Sequence, residues 1–118
     1  MPMRVLVVDD EKNLVHAVEH SLVDLGYSVT CAHLLEEALQ VANDEAFDAA
    51  LLDVNLGDEV VYPLADLLAA HGTQLIFATA RKRKELPERF RRDPLIVKPY
   101  DLSTVLGELR AVQARAEA

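Results

Sequence analysis

Four short apolar runs in this chain each stop at a residue able to do chemistry. Arg4–Val8 stops at Asp9-Asp10, Ala49–Leu52 at Asp53, Gln74–Ala78 at Thr79, and Leu95–Val97 at Lys98. Runs this short, and rich in branched aliphatics, suit strands buried on both faces. Ser28–Ala32 adds another strand, and stretches of helical period lie between the strands. Over Glu11–Leu25, Leu14, Val18, Leu22 and Leu25 share one face, and Gly26 follows as a left-handed cap. Leu35, Ala38, Leu39 and Ala42 form the next stripe. Asn55–Asp58 reads as a turn containing Gly57. Val60–His71 reads as a helix with Leu64, Leu67 and Leu68 inward and Pro63 tolerated in its first turn. The last helix begins near Asp101, an N-cap, and buries Leu102, Val105, Leu106, Leu109 and Val112. Pro87 and Pro94 bracket the fourth helical stretch, which the spacing limits to a short helix over Leu86–Arg91 or an irregular turn. Strands alternating with helices predict a doubly wound α/β fold, a five-stranded parallel sheet with helices on both faces.

Length and charge narrow the class. The chain has 118 residues, which fits a single domain over 1–118, and 51% apolar residues supply a core. Acids outnumber bases 20 to 12, a formal charge of −8 that argues against a general nucleic-acid binder. Cys31 is the one cysteine, so no internal disulfide forms, and no Cys/His spacing suits structural zinc. No apolar run reaches the roughly 18 residues that cross a bilayer, and no signal-peptide core follows Met1. A soluble cytoplasmic domain, with no membrane partner, is the expectation.

The positions of the polar residues carry the function. Ligands of doubly wound sheets bind outside the carboxyl ends of the strands. Asp9, Asp10, Asp53, Thr79 and Lys98 all fall there. Three carboxylates brought together repel, so a cation must neutralise them, and an all-oxygen set with room for water suits Mg²⁺. A lysine and a hydroxyl beside that ion are what an incoming phosphoryl group needs. Asp53, on the middle strand, suits the nucleophile that becomes an aspartyl phosphate. Taken singly, an Asp after a strand is a loop or cap residue, Thr79 a strand-end threonine, and Lys98-Pro99 a turn signal. Four strand ends supplying compatible groups is a different observation.

This set resembles the receiver domain of response regulators (CheY-like). The likeness runs the whole chain through Val7-Val8-Asp9-Asp10-Glu11, Leu51-Leu52-Asp53, Thr79-Ala80 and Lys98-Pro99-Tyr100. The resemblance implies a flavodoxin-like (βα)5 fold with strand order 2-1-3-4-5. It implies that Asp53 accepts a phosphoryl group from a phosphohistidine on a histidine kinase or histidine phosphotransferase. Asp10 would bind Mg²⁺ directly, Asp9 largely through water, and the carbonyl of Asn55 would add a ligand. Lys98 would pair with phosphoryl oxygens and Thr79 would turn toward them. Asn55 and Arg81 sit at the positions that tune phosphoryl lifetime in this family. With nothing after the last helix, the chain looks like a stand-alone receiver or one cut from a longer protein. It would catalyse only its own phosphorylation and dephosphorylation, and so is not a conventional enzyme. Asp53–Glu59 and Phe77-Ala78-Thr79 also resemble single-domain receivers with a Phe-Ala-Thr-Gly-x-Tyr motif. Here Ala80, Arg81 and Lys82 follow instead, and Leu95 stands where the switch aromatic is usual.

Residues 81–92 hold seven of the twelve bases against two acids, a local charge of +5 that leaves −13 elsewhere. Three readings stand: a solvated loop, a docking patch for an acidic partner, or nucleic-acid contact, which the lone Phe90 and the lack of interleaved aromatics disfavour. The patch would use Arg81, Lys82, Arg83, Lys84 and Tyr100 on the fourth-helix and fifth-strand surface to meet a downstream protein. A homodimer is left open. The rival to the phosphoacceptor reading is a pseudo-receiver that works only as an interaction module through this segment. A hydrolase is a third reading, but Asn55 stands where a second catalytic acid is wanted. His16 and His20, one turn apart, could hold a metal but lie opposite the apolar stripe and read as exposed. Cys31 reads as a buried small hydrophobe, and His33 and His71 as loop or helix-end residues.

Overall fold

The computed structural model describes residues 2–117. In chain order the elements are β1 (Arg4–Val8), α1 (Lys12–Asp24), β2 (Ser28–Ala32), α2 (Leu35–Asp44), β3 (Ala49–Asp53), β4 (Asn55–Leu56), β5 (Glu59–Val60), α3 (Tyr62–Ala70), β6 (Gln74–Thr79), β7 (Leu95–Val97) and α4 (Leu102–Glu117). The main sheet is parallel, in the order β2-β1-β3-β6-β7, which is the expected 2-1-3-4-5 once the small β4-β5 hairpin is set aside.

Although each central strand is apolar between its end residues, those residues still alternate between two cores. Leu6, Val8, Ala50, Leu52, Leu75 and Phe77 pack toward α2 and α3. Val5, Val7, Ala49, Leu51, Ile76, Ala78 and Ile96 pack toward Val15, Val18 and Leu22 of α1 and Val105, Leu109 and Val112 of α4. Period-2 alternation therefore divides an unbroken hydrophobic run between two helical layers. The carboxyl ends of four strands are thereby fixed side by side.

Two local expectations are corrected. The buried stripe of α1 is Val15, Val18 and Leu22. Leu25 lies beyond the last helical residue, where the chain turns at Gly26 (φ 95°), and is 54% exposed. Val60 is not helical. It pairs with Asn55 across the hairpin, and Pro63, which must lie in a first turn, keeps α3 from starting earlier. Of the two forms expected for the fourth helical stretch, the irregular one is found: β6 and β7 are joined by a segment carrying two single 3₁₀ turns, Arg83–Glu85 and Glu88–Phe90. Pro87 between them cannot donate a backbone hydrogen bond. Arginines satisfy the carbonyls that a helix would have paired. Arg83 donates to the carbonyls of Arg91 and Asp93 (2.6 and 2.7 Å), and Arg91 to those of Leu86 and Lys84 (2.9 and 3.1 Å). Leu86 and Phe90 fill the core where an inward helix face would lie. Phe90 stacks on Tyr62 at 5.8 Å and meets Phe77 at 5.3 Å.

Candidate functional site

Each expected residue leaves its own strand at the carboxyl edge. Val8 pairs with Leu52, so Asp9 and Asp53 emerge from neighbouring strands; Asp53 pairs with Ala78, and Thr79 with Val97, which places Thr79 and Lys98 next along the edge. One oxygen from each of Asp9, Asp10 and Asp53 falls within a single 4.8 Å group. The Lys98 ammonium bridges two of them, 2.7 Å from Asp9 Oδ2 and 3.1 Å from Asp53 Oδ2. Asp9, Asp53 and Thr79 are buried, whereas Asp10 is exposed.

Loop backbone completes the carboxylate shells. The Glu11 N–H donates to Asp9 Oδ1 at 3.0 Å, and the Asn55 N–H reaches Asp53 Oδ1 at 3.4 Å. Burial and the neighbouring Asp9 charge push the Asp53 pKa up, against the opposing pull of Lys98 and the Asn55 N–H. Burial works against the Lys98 ammonium, but its hydrogen bonds to Asp9 and Asp53 and their charges outweigh that, so its pKa also rises. Tyr100 stands close enough to feel the site: burial, then the Asp9 charge, push its phenol up to about 12.

Three carboxylates and one ammonium leave two negative charges unbalanced, so the donor set fits a hard divalent cation held by Asp9, Asp10 and Asp53. Thr79 is in place on its strand, but its hydroxyl accepts from the Arg81 N–H (3.1 Å) and does not bond to Asp53. Asn55 and Arg81 touch, with Arg81 Nε donating to Asn55 Oδ1 at 3.1 Å.

Of the expected partner surface, Arg83 is folded back on backbone carbonyls and Arg81 reaches Asn55. Arg89 forms a two-point pair with Asp66 at 2.8 and 2.9 Å. Lys82, Lys84 and Arg92 are exposed and make no side-chain hydrogen bond or ion pair among the described residues. Tyr100 is half-buried. Two contributors to the site were not anticipated. The Gly57 N–H, at the tip of the β4-β5 hairpin, donates to Asp10 Oδ2 at 2.9 Å. His33 Nδ1 lies 3.1 Å from the carbonyl of Asp9. Gly57 was visible as a turn residue, but nothing local pointed to Asp10.

A doubly wound sheet whose carboxyl edge gathers three carboxylates, a threonine and a lysine defines a class of α/β domain with an acidic strand-end site. The model of the response regulator receiver domain matches residues 5–110, and the chain belongs to that family. The response regulator MprA of Mycolicibacterium vanbaalenii is 31% identical over 120 residues, covering 98% of this chain and 52% of that protein. The transcriptional regulatory protein DltR of Streptococcus agalactiae is 31% identical over 113 residues, covering 92% of this chain and 50% of that protein. The chain thus spans about half the length of the curated relatives it matches. Among solved structures, chemotaxis response regulator CheY4 of Vibrio cholerae superposes with a TM-score of 0.83 at 27% identity, covering 95% of this chain and 99% of that one. Among the described residues, no helix is long and apolar enough to cross a membrane.

Proposed function

We propose that the chain is the phosphoacceptor of a two-component phosphorelay and that Asp53 carries the phosphoryl group. The observation behind this reading is the Lys98 ammonium bridging Asp9 and Asp53 with Asp10 beside them. The donor is a phosphohistidine on a histidine kinase or histidine phosphotransferase. An Asp53 oxygen attacks phosphorus while the bond to the donor imidazole nitrogen breaks; that nitrogen keeps the bonding pair. Lys98 swings from Asp53 to a phosphoryl oxygen, and Thr79 releases the Arg81 N–H and donates to another. Asp9, Asp10, Asp53 and the Asn55 carbonyl would hold Mg²⁺, which would supply positive charge to offset the incoming group. Asn55 and Arg81 stand at the mouth and set how readily water reaches the acyl phosphate. The domain has no turnover substrate. It works in the cytoplasm and signals by contact with a downstream protein.

Incubation with Mg²⁺ and a small acyl-phosphate donor, read by intact mass, tests this. A phosphoryl-sized increase that disappears in Asp53→Asn is expected. No increase despite measured Mg²⁺ binding would overturn the reading in favour of an interaction module built on residues 81–92.

A further inference from the structure

The three carboxylates at the strand edge are not held alike. Asp9 and Asp53 are buried, bridged by Lys98, and met by the backbone N–H groups of Glu11 and Asn55. Asp10 is exposed. Among the described residues its carboxylate has one partner, the Gly57 N–H at 2.9 Å, 47 residues away in sequence.

The β4-β5 hairpin presents that N–H. The ladder pairs Asn55 with Val60 and Leu56 with Glu59, which leaves Gly57-Asp58 as a two-residue loop outside it. Gly57 has φ 61°, and Asp58 keeps a negative φ, the sign pattern of a type II′ turn. Only glycine takes such a φ at little cost. A Cβ at this position would meet nothing within 4 Å, so it is the backbone turn, not want of space, that calls for glycine. The hairpin is fixed at its base, where Val54, Leu56 and Val61 are buried and the Val61 N–H donates to the Val54 carbonyl at 2.9 Å. Charge does not draw the tip to this place, since Asp58 next to Gly57 has the same sign as Asp10.

We propose that Gly57 is a positioning residue for the divalent cation: its N–H holds the Asp10 carboxylate in the orientation that the cation meets. The inference rests on Asp10 acting as a cation ligand, as in the function proposed above. A carboxylate offers about four lone-pair sites and one N–H uses one of them, so Asp10 is held and still free to ligate. At an exposed edge such a bond adds little to folding. What it does is remove rotamers of Asp10 that the cation would otherwise have to freeze. Carboxylates that ligate protein metals are commonly hydrogen-bonded in this way. The hairpin also begins at Asn55, whose carbonyl belongs to the proposed donor set, so one short element serves two members of that set.

Melting of the full chain, begun in chelator and repeated as Mg²⁺ is raised, gives the Mg²⁺ Kd from the stabilisation that binding adds. Two variants remove the N–H. Gly57→Pro deletes it and sets φ near about −65°. An ester in place of the Leu56–Gly57 amide, introduced by chemical synthesis, exchanges the N–H for oxygen and keeps the glycine; it decides the question if Gly57→Pro does not fold. Both should weaken Mg²⁺ binding about tenfold. In an Asp10→Ala background the ester should weaken binding no further, because the carboxylate it positions is gone. A purely structural N–H would lower the melting temperature in chelator and leave the Mg²⁺ Kd where it was. An ester chain that binds Mg²⁺ as tightly as wild type, or an ester that costs as much without Asp10 as with it, would overturn the positioning role and leave the phosphoacceptor reading standing. A wild-type chain whose melting ignores Mg²⁺ would overturn both.

Discussion

Lys98 holds apart the charges of two carboxylates that its own position makes tolerable. Its side chain is 20% exposed, while those of Asp9 and Asp53 are 5% and 10% exposed, so removing it strands two anions in a poorly solvated edge. Lys98→Ala should cost about 3 kcal/mol, the low end for breaking a buried pair. Urea unfolding measures that loss, and Asp53→Asn in the same chain should recover part of it. Asp53 adds a pH signature. Its pKa is raised in the fold, chiefly by burial and then by Asp9. A raised folded value means its contribution is fully present below the ordinary carboxylate range and lost as pH climbs through the folded value. In chelator, the unfolding free energy of wild type relative to Asp53→Asn should therefore fall with rising pH across and above that range. A difference that grows with pH would show that Lys98 outweighs both causes. Cys31 gives a third residue-level expectation. With its thiol pushed up to about 12, alkylation at neutral pH should be slow in the folded chain and fast in denaturant.

The stretch between β6 and β7 shows an element replaced and not simply lost. Leu86 and Phe90 are buried at the spacing of one helical turn, yet the backbone between them is two 3₁₀ turns tied by Arg83 and Arg91. Phe90→Ala should cost about 3–5 kcal/mol, since it empties a contact between Tyr62 and Phe77. Arg91→Met should keep most of the side-chain volume but free the carbonyls of Lys84 and Leu86. Faster amide exchange over residues 83–93, with a smaller change in melting temperature, is the expected result. This stretch also marks the limit of sequence reading. Asp9, Asp53, Thr79 and Lys98 were legible because each directly follows an apolar run, and an apolar run buried in a parallel sheet leaves its next residue at the carboxyl edge. The arginine ties were not legible, because they join side chains to carbonyls five to ten residues away through a shape only the folded loop has. The same holds for Gly57 on Asp10, across 47 residues. Leu25 misled for a simpler reason: it continues the 3.6-residue period past the point where Gly26 ends the helix.

Across the whole molecule the charge divides into a basic stretch of +5 and a remainder of −13. Folding the basic stretch consumes part of it, since Arg81, Arg83, Arg89 and Arg91 point to partners within the chain. Any acidic partner then meets chiefly Lys82, Lys84 and Arg92. The acidic remainder concentrates where it costs most, at an edge with three carboxylates against one ammonium. Folding brings Asp53 to the Asp9-Asp10 pair and unfolding separates it again, so that part of the repulsion acts against the native state alone. A divalent cation that binds the edge should thus stabilise the entire domain. With one site and no affinity for the unfolded chain, a free concentration roughly a hundred times Kd adds about 2.7 kcal/mol. Melting curves should shift upward by several degrees as Mg²⁺ is raised, and not with equal ionic strength of a monovalent salt. Asp10→Asn should behave in the opposite sense to most substitutions. It removes one repelling charge at an exposed position, so it should raise the melting temperature in chelator while abolishing most of the Mg²⁺-dependent shift. A variant that melts lower in chelator would mean that the Gly57 N–H to Asp10 contact outweighs the repulsion.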